Sequence, residues 1–356
     1  MAVTSLLTRT AGSVGRTVGT ALATPLVPSA YLDLFAPLRS DTLRARVVEV
    51  RPETRDAVTL VLKPGRDWQG HTAGQWIRLG VDVQGVRLWR AYSLTSPPRP
   101  DGLITVTVKA LPDGKVSGHI ASRVAAGDVL HLDQAAGDFV LPATRPAKAL
   151  FVTAGSGITP VMGMLREALD ELPDVVLVHS APTADDVVFG AELRGLAAAG
   201  RIRLVELHTD TDGMLTTERL AGLVPDLADR ETWACGPVGM LDAIEAEWDR
   251  RGIVEQLHVE RFRPSVVVEG DGGTVSFGRS DITVEADGAT PLLDVGEAAG
   301  VLMPSGCRMG ICFGCVLPLR EGAVRDLRTG ETTTAGDGVL VQTCVSAAAG
   351  ACRLEA

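Results

Sequence analysis

The spacing of apolar positions divides the chain into three stretches. From residue 41 to about 145, short apolar or alternating runs recur at Val58 to Leu62, Trp76 to Val81, and Leu103 to Ala110. In the last of these Ile104, Val106 and Val108 share one face, and Pro-Gly, Pro-Asp-Gly and Gly-Asp turns punctuate the series. This pattern predicts a small antiparallel β-barrel. From about 146 to 262, strand and helix alternate: Ala149 to Thr153 then Pro160 to Ala168, Val175 to His179 then Glu192 to Ala199, Ile202 to His208 then Glu218 to Leu223, Trp233 to Cys235 then Met240 to Trp248. Leu241, Ile244 and Trp248 form one side of the last helix. Such repeats predict an open α/β parallel sheet with helices on both faces. From 265 to 356, strands at Thr274 to Phe277 and Ile282 to Ala286 with a helix at Leu293 to Ala299 predict an α+β unit.

Length and composition support two or three domains. A chain of 356 residues exceeds one domain at a prior of about 150 each, and 46% hydrophobic with 22% charged residues describes a globular protein. The net charge of −10 argues against a nucleic-acid partner, which needs a basic face. Acidity concentrates at the end: residues 265–356 hold 12 Asp and Glu against 6 Arg and no Lys. That face is either solvated or steers a basic partner. Residues 1–40, an N-terminal extension, contain no apolar span approaching the roughly 20 residues of a membrane helix, being cut by Pro25 and Pro28. A short helix after Ser29, with Tyr31, Leu32, Leu34 and Phe35 on an apolar side, is expected to pack on the body or rest peripherally on a membrane or membrane-bound partner. The expected location is the cytoplasm, with any membrane association made through a partner.

Candidate chemistry sits at element ends. Arg90-Ala91-Tyr92-Ser93-Leu94-Thr95-Ser96 closes a strand with a cation, an aromatic face and hydroxyls. Gly114-Lys115-Val116-Ser117 lies where a turn gives way to a helix, whose free N–H groups suit a phosphate. At the first strand-helix junction of the α/β stretch, Gly155 and Gly157 of Thr153-Ala154-Gly155-Ser156-Gly157-Ile158-Thr159-Pro160 allow the backbone near a phosphate. Thr159 is expected to cap and Pro160 to fit the first helical turn. Cys235-Gly236-Pro237-Val238-Gly239-Met240 follows the fourth strand, and Cys235 by itself reads as a small buried hydrophobe.

Four of six cysteines crowd into one segment. Cys307, Cys312 and Cys315 are spaced C-x4-C-x2-C and Cys344 follows after 28 residues, the plant-type spacing for a 2Fe-2S cluster. Four thiolates must converge on two irons, so three come from one loop and the fourth from a distant return. Gly306, Gly310 and Gly314 are expected to let that loop curl and aim backbone N–H groups at sulfur. Zinc would more naturally use two C-x2-C pairs or His, and no His follows His258; zinc or a disulfide pair is the lesser alternative. Cys352 reads as a bystander.

Taken together, R-x-Y-S-x-x-S, G-x-x-S, T-x-G-x-G-x-T-P and C-G-P-x-x-M resemble the ferredoxin-NADP reductase superfamily, and residues 41–356 resemble its oxygenase reductase components with a terminal plant-type ferredoxin domain. The resemblance implies that Arg90 pairs with a flavin phosphate, Tyr92 stacks on the isoalloxazine, Ser93 lies near N5, and Gly114 to Ser117 hold the pyrophosphate of FAD rather than FMN. It likewise implies that Gly155, Ser156, Gly157 and Thr159 cradle the NAD(P)H pyrophosphate, with Gly236 and Pro237 beside them. Cys235 then neighbours the nicotinamide, and Glu260 or Phe262 of His258-Val259-Glu260-Arg261-Phe262 the flavin edge. Asp210 and Asp212, with no Arg across 179–186, point to NADH over NADPH, unless Arg201 or Arg203 folds back.

Hydride carries two electrons, a 2Fe-2S cluster takes one, and flavin handles both, so flavin must stand between them. The implied activity is an NAD(P)H oxidoreductase feeding single electrons to an oxygenase, hydroxylase, desaturase or cytochrome P450. Tyr31-Leu32-Asp33-Leu34-Phe35 also resembles reductases serving membrane fatty-acid desaturases. The alternative is a redox-sensing flavin and cluster module that signals to a partner without rapid turnover.

Overall fold

The computed structural model describes residues 43–83, 85–112, 114–262, 271–310 and 312–356. The helix expected after Ser29 lies outside these residues, as does any membrane contact through residues 1–40.

The first sheet is antiparallel, built from β1 (Arg44–Thr54), β2 (Ala57–Pro64), β3 (Trp76–Val83), β4 (Val86–Ser93), β5 (Ile104–Lys109) and β6 (Val129–Leu132) in the order β4-β3-β6-β1-β2-β5. A bridge between Leu94 and Val106 joins its two ends and closes the barrel. Leu60, Leu62, Ile77, Leu79, Val106 and Val108 fill the interior. The alternate positions of β5 are also buried, so their hydroxyls pair with neighbours: Thr107 with Thr59 of β2 at 2.6 Å and Thr105 with Thr95 at 2.7 Å. Helix α1 (Lys115–Arg123) packs on β3, β4 and β5, sinking Val116 and Ile120 into the core.

The second sheet is wholly parallel, in the order β11-β10-β7-β8-β9: β7 (Ala149–Ala154), β8 (Val175–Ala181), β9 (Arg203–His208), β10 (Glu231–Cys235) and β11 (Leu257–Glu260). Its longer helices are α2 (Ile158–Ala168), α3 (Gly190–Ala198), α4 (Thr217–Leu223) and α5 (Val238–Arg251). Strand alternation divides the core in two. Phe151, Leu177 and Trp233 face α2 and α3, while Leu150, Val152, Val176 and Ala234 face α4 and α5. The first of these cores also takes in Ala57, Phe139 and Leu141 from the barrel, and Arg166 Nη1 donates to the Thr95 carbonyl at 2.6 Å. Barrel and parallel sheet are thereby fastened into one seam.

The third sheet is mixed. It runs β13 (Ile282–Ala286), β12 (Gly273–Phe277), β17 (Ser346–Leu354), β14 (Val316–Asp326) and β15 (Thr332–Thr334), with β16 (Leu340–Gln342) beside β14. Only the β12–β17 pairing is parallel. Helix α6 (Leu292–Ala298) lays Leu292 and Leu293 over Val275, Phe277 and Val345.

Candidate functional site

The flavin motif lies at the end of β4, beside the Leu94–Val106 bridge that closes the barrel. Arg90 pairs across to Leu79, Tyr92 to Ile77 and Ser93 to Trp76. Arg90 is largely sunk in the protein, and burial first, then the nearby Arg308 cation, pushes its guanidinium down to about 10. Its hydrogen bond is to the Trp89 carbonyl at 2.7 Å, and among the described residues no carboxylate forms an ion pair with it. Burial raises the Tyr92 phenol well above its ordinary value. Ser93 is buried with its Oγ unpartnered. A buried cation without an anion and a buried hydroxyl without a partner are costly unless a ligand completes them, which fits a flavin phosphate and ring.

Helix α1 opens after β5. Gly114 sits at its N-cap position, where a Cβ would meet Ser117 Oγ at 2.4 Å. Ser117 Oγ itself accepts the Leu111 N–H at 3.1 Å, so the hydroxyl braces the turn. Lys115 is exposed and Val116 packs inward, leaving backbone N–H groups at the helix start for an anion.

At the end of β7 the chain makes a 3₁₀ turn, Gly155–Gly157, before α2 begins at Ile158, two residues ahead of the expected Pro160. Gly155 has φ 53°, a left-handed conformation. Gly157 is needed for a different reason: a Cβ there would lie 2.0 Å from the Cys235 carbonyl oxygen. The two glycine turns therefore touch, and Gly236 packs against Ala154 and Met240. Thr159 does not cap. It is buried in the first turn and its Oγ1 donates to the Ser156 carbonyl at 2.9 Å.

Register across this sheet aligns a polar row at the carboxyl ends of the strands. Glu206, His179, Thr153, Cys235 and Glu260 stand abreast on β9, β8, β7, β10 and β11. Thr153 Oγ1 and His179 Nδ1 are 2.8 Å apart, and burial drives the His179 imidazole down to about 4. Burial also raises the Cys235 thiol, with Glu260 adding to it, so this cysteine is neutral and unreactive toward electrophiles. Burial, and then the Asp138 charge from the barrel, pushes the Glu260 carboxyl up to about 8, and its Oε2 has no partner. Phe262 packs on the seam core beyond the end of β11.

The cysteine loop forms two thiol pairs. Cys307 N–H donates to Cys312 Sγ at 3.1 Å, and the hydrogen bond between the two thiol side chains, opposed by burial and helped by the Cys307 and Gly314 amides and Arg78, holds the Cys312 thiol down at about 5. Cys315 is held at about 6 chiefly by its hydrogen bond with Cys344, and Cys344 is raised correspondingly. Further N–H groups reach sulfur from Met309 to Cys307 (3.3 Å) and Gly314 to Cys312 (3.4 Å). Among the described residues no three donors converge on a single ion position. Two pairs, one per iron, fit a two-iron cluster better than a mononuclear site.

The three loop glycines divide their work unevenly. Gly310 alone has a positive φ, 74°. Gly306 and Gly314 leave room instead: Cβ atoms there would come within 2.3 Å and 3.3 Å of Cys312 Sγ. Arg308 (φ 60°) and Phe313 (φ 56°) supply the other left-handed turns, and Arg308 is held by Asp294 at 2.6 Å and by Glu297. Arg78 of β3 and Arg328, which donates to the Gly310 carbonyl at 3.2 Å, bring cations beside the loop that belong to none of the sequence motifs. Arg78 carries one sequence signal, a charge in the otherwise apolar run Trp76 to Val81.

These sites define a reductase that joins a flavin barrel, a nicotinamide sheet and a terminal iron-sulfur unit. Residues 44–141 match the family described as an oxidoreductase FAD-binding domain, 151–246 an oxidoreductase NAD-binding domain, and 276–349 a 2Fe-2S iron-sulfur cluster binding domain. A protein of Mycobacterium tuberculosis named NADPH oxidoreductase is 49% identical over 349 residues, 96% of this chain and 91% of its own length. The ferredoxin reductase component of a 3-ketosteroid-9-alpha-monooxygenase from Mycolicibacterium smegmatis is 33% identical, covering 81% of this chain and 89% of its own. In fold, phthalate dioxygenase reductase aligns with TM-score 0.60 at 22% identity, over 89% of this chain and 98% of that one. The chain belongs to the ferredoxin-NADP reductase superfamily, in the branch that carries FAD-binding, NAD-binding and C-terminal 2Fe-2S domains, a branch that includes reductase components of oxygenase systems.

Proposed function

We propose that this chain takes hydride from a reduced nicotinamide dinucleotide at the barrel-sheet seam and releases single electrons through Cys307, Cys312, Cys315 and Cys344. FAD, when bound, accepts hydride and gives electrons one at a time, and the 2Fe-2S cluster takes one. One hydride thus supplies two electrons and leaves one proton. Arg90 neutralises the flavin phosphate, Tyr92 offers its ring, and the N–H groups from Lys115 to Ser117 hold the pyrophosphate. Gly155, Ser156 and Gly157 carry the nicotinamide dinucleotide's pyrophosphate, with Gly236 and Pro237 keeping the facing turn close. Ser93, Cys235 and Glu260 line the hydride path: the small neutral thiol leaves room for the nicotinamide, and the Ser93 hydroxyl and the protonated Glu260 carboxyl are hydrogen-bond donors at the flavin edge.

The observation that carries this reading is that Ser93 Oγ and Glu260 Oε2 are buried without partners and that the largely buried Arg90 has no carboxylate ion pair among the described residues, with a four-cysteine loop beside the same barrel. The expected coenzyme is NADPH, on the strength of the relative matched at 49% identity. This runs against the Asp210 reading, although Arg201 and Arg203 are occupied by Asp170 and the Leu223 carbonyl. The acceptor is an oxygen-activating protein, as the monooxygenase components among the relatives suggest. Residues 31–35 make a membrane desaturase the specific proposal, and the cytoplasm the place of reaction. Among the described residues no helix is long and apolar enough to cross a membrane.

The test uses holoprotein. Purified protein should show flavin and cluster absorption and reduce cytochrome c with a higher kcat/KM for NADPH than for NADH. Cys312→Ser should cut cytochrome c reduction at least tenfold while ferricyanide reduction by the flavin persists. Unchanged cytochrome c reduction in that variant overturns the exit route.

A further inference from the structure

Arg78 is a barrel residue that reaches out of its own domain. It stands on β3 directly opposite Ala91, inside the Arg90-Ala91-Tyr92-Ser93 element, yet its guanidinium meets the cysteine loop. Arg78 Nη1 is 3.3 Å from the Cβ position at Gly306 and 3.6 Å from that at Gly314, the two glycines that also flank Cys312 Sγ. A Cβ at Gly306 would clash with the sulfur and crowd the cation. Two barrel groups fix the guanidinium from behind. Asp133, on the segment after β6, accepts from its Nε and Nη2, and the Trp89 ring lies under it with Arg78 Cζ 5.5 Å from the centroid. The side chain is 25% exposed. An arginine so braced has lost its rotamer freedom before the loop arrives, so little further entropy is spent in meeting it.

Its charge has a direction of effect. A 2Fe-2S cluster on four thiolates is anionic, and taking one electron adds another negative charge. A fixed cation beside the loop therefore favours the reduced cluster over the oxidised one. Asp133 on the far side of the guanidinium works against it.

We propose that Arg78 is the positioning residue of the flavin-to-cluster step, a cation mounted on the flavin barrel that seats the cysteine loop and favours electron arrival there. No bond changes at Arg78; one electron leaves the flavin and one enters the cluster. This inference rests on the four cysteines holding the cluster, so iron and acid-labile sulfide are assayed first in wild-type protein.

The experiment is an EPR-monitored redox titration of the cluster in Arg78→Gln, Arg78→Lys and Asp133→Asn, using full-length holoprotein without nicotinamide. At a fixed potential Arg78→Gln should lower the reduced-to-oxidised ratio roughly tenfold, about 59 mV for one electron. Arg78→Lys should recover most of that shift. Asp133→Asn should move the ratio the opposite way, which no loss of folding stability mimics, and if Arg78→Gln does not fold, Arg78→Ala takes its place with the same expected shift. Midpoints unchanged in Arg78→Gln and Asp133→Asn, with iron and sulfide retained, overturn the proposal. Wild-type protein lacking iron and sulfide removes the cluster assignment and Arg78's role together.

Discussion

At the scale of single residues, the seam is built from groups the protein alone leaves incomplete. Glu260 shows the cost most clearly, since burial holds its carboxyl at about 8 instead of 4.5. The folded form then binds the proton more tightly than the unfolded chain. Its stability contribution is full below about 4.5 and is lost as pH rises to about 8. Glu260→Gln should flatten the fall in Tm across that window and raise Tm at pH 8 by roughly 2–4 °C. A pH profile of Tm identical to wild type would mean that Glu260 is already ionised or solvated. The sequence motif singled out Glu260 but could say nothing of this shift, which comes first from burial and then from the charge of the barrel's Asp138. Thr159 illustrates the reverse. Its type and position read as a helix cap, yet the preceding 3₁₀ turn starts the helix early and turns the hydroxyl back on Ser156.

Among the elements, the β-sheets were legible wherever apolar alternation was strong. Val175–Ala181 is buried throughout, and Ile282–Ala286 fell at its expected bounds. Strands rich in charge or small residues escaped notice: β1 reads R-A-R-V-V-E-V-R-P-E-T and β17 S-A-A-A-G-A-C-R-L, neither with a clear apolar face in sequence. Their pairing depends on neighbours far along the chain. The turn between β7 and α2 gives an element-level prediction. Gly155→Ala meets open space but a left-handed backbone, costing about 1 kcal/mol. Gly157→Ala has an ordinary φ but a backbone oxygen at 2.0 Å, so the two turns must separate. Gly157→Ala should therefore raise KM for NADPH at least tenfold, and more than Gly155→Ala does; equal effects in steady-state kinetics would contradict the touching of the turns.

Across the whole molecule, the order of stations follows from packing. The barrel shares a core with the parallel sheet on one side and presents Arg78 to the cysteine loop on another. The cysteine spacing announced the third station in sequence, because thiolate geometry constrains local intervals. The Arg78 contact could not be foreseen, because it depends on how one folded unit docks on the next. Arg308 extends the same junction: its charge is felt at Arg90, while Asp294 and Glu297 hold it. The central claim is that one polypeptide accepts hydride and stores its electrons in two centres. Anaerobic titration of the purified holoprotein with NADPH, followed by flavin absorbance and cluster EPR, tests it most directly. Full reduction should take about 1.5 NADPH per chain, two electrons for the flavin and one for the cluster. Saturation at about one NADPH, with no cluster signal developing, would contradict it.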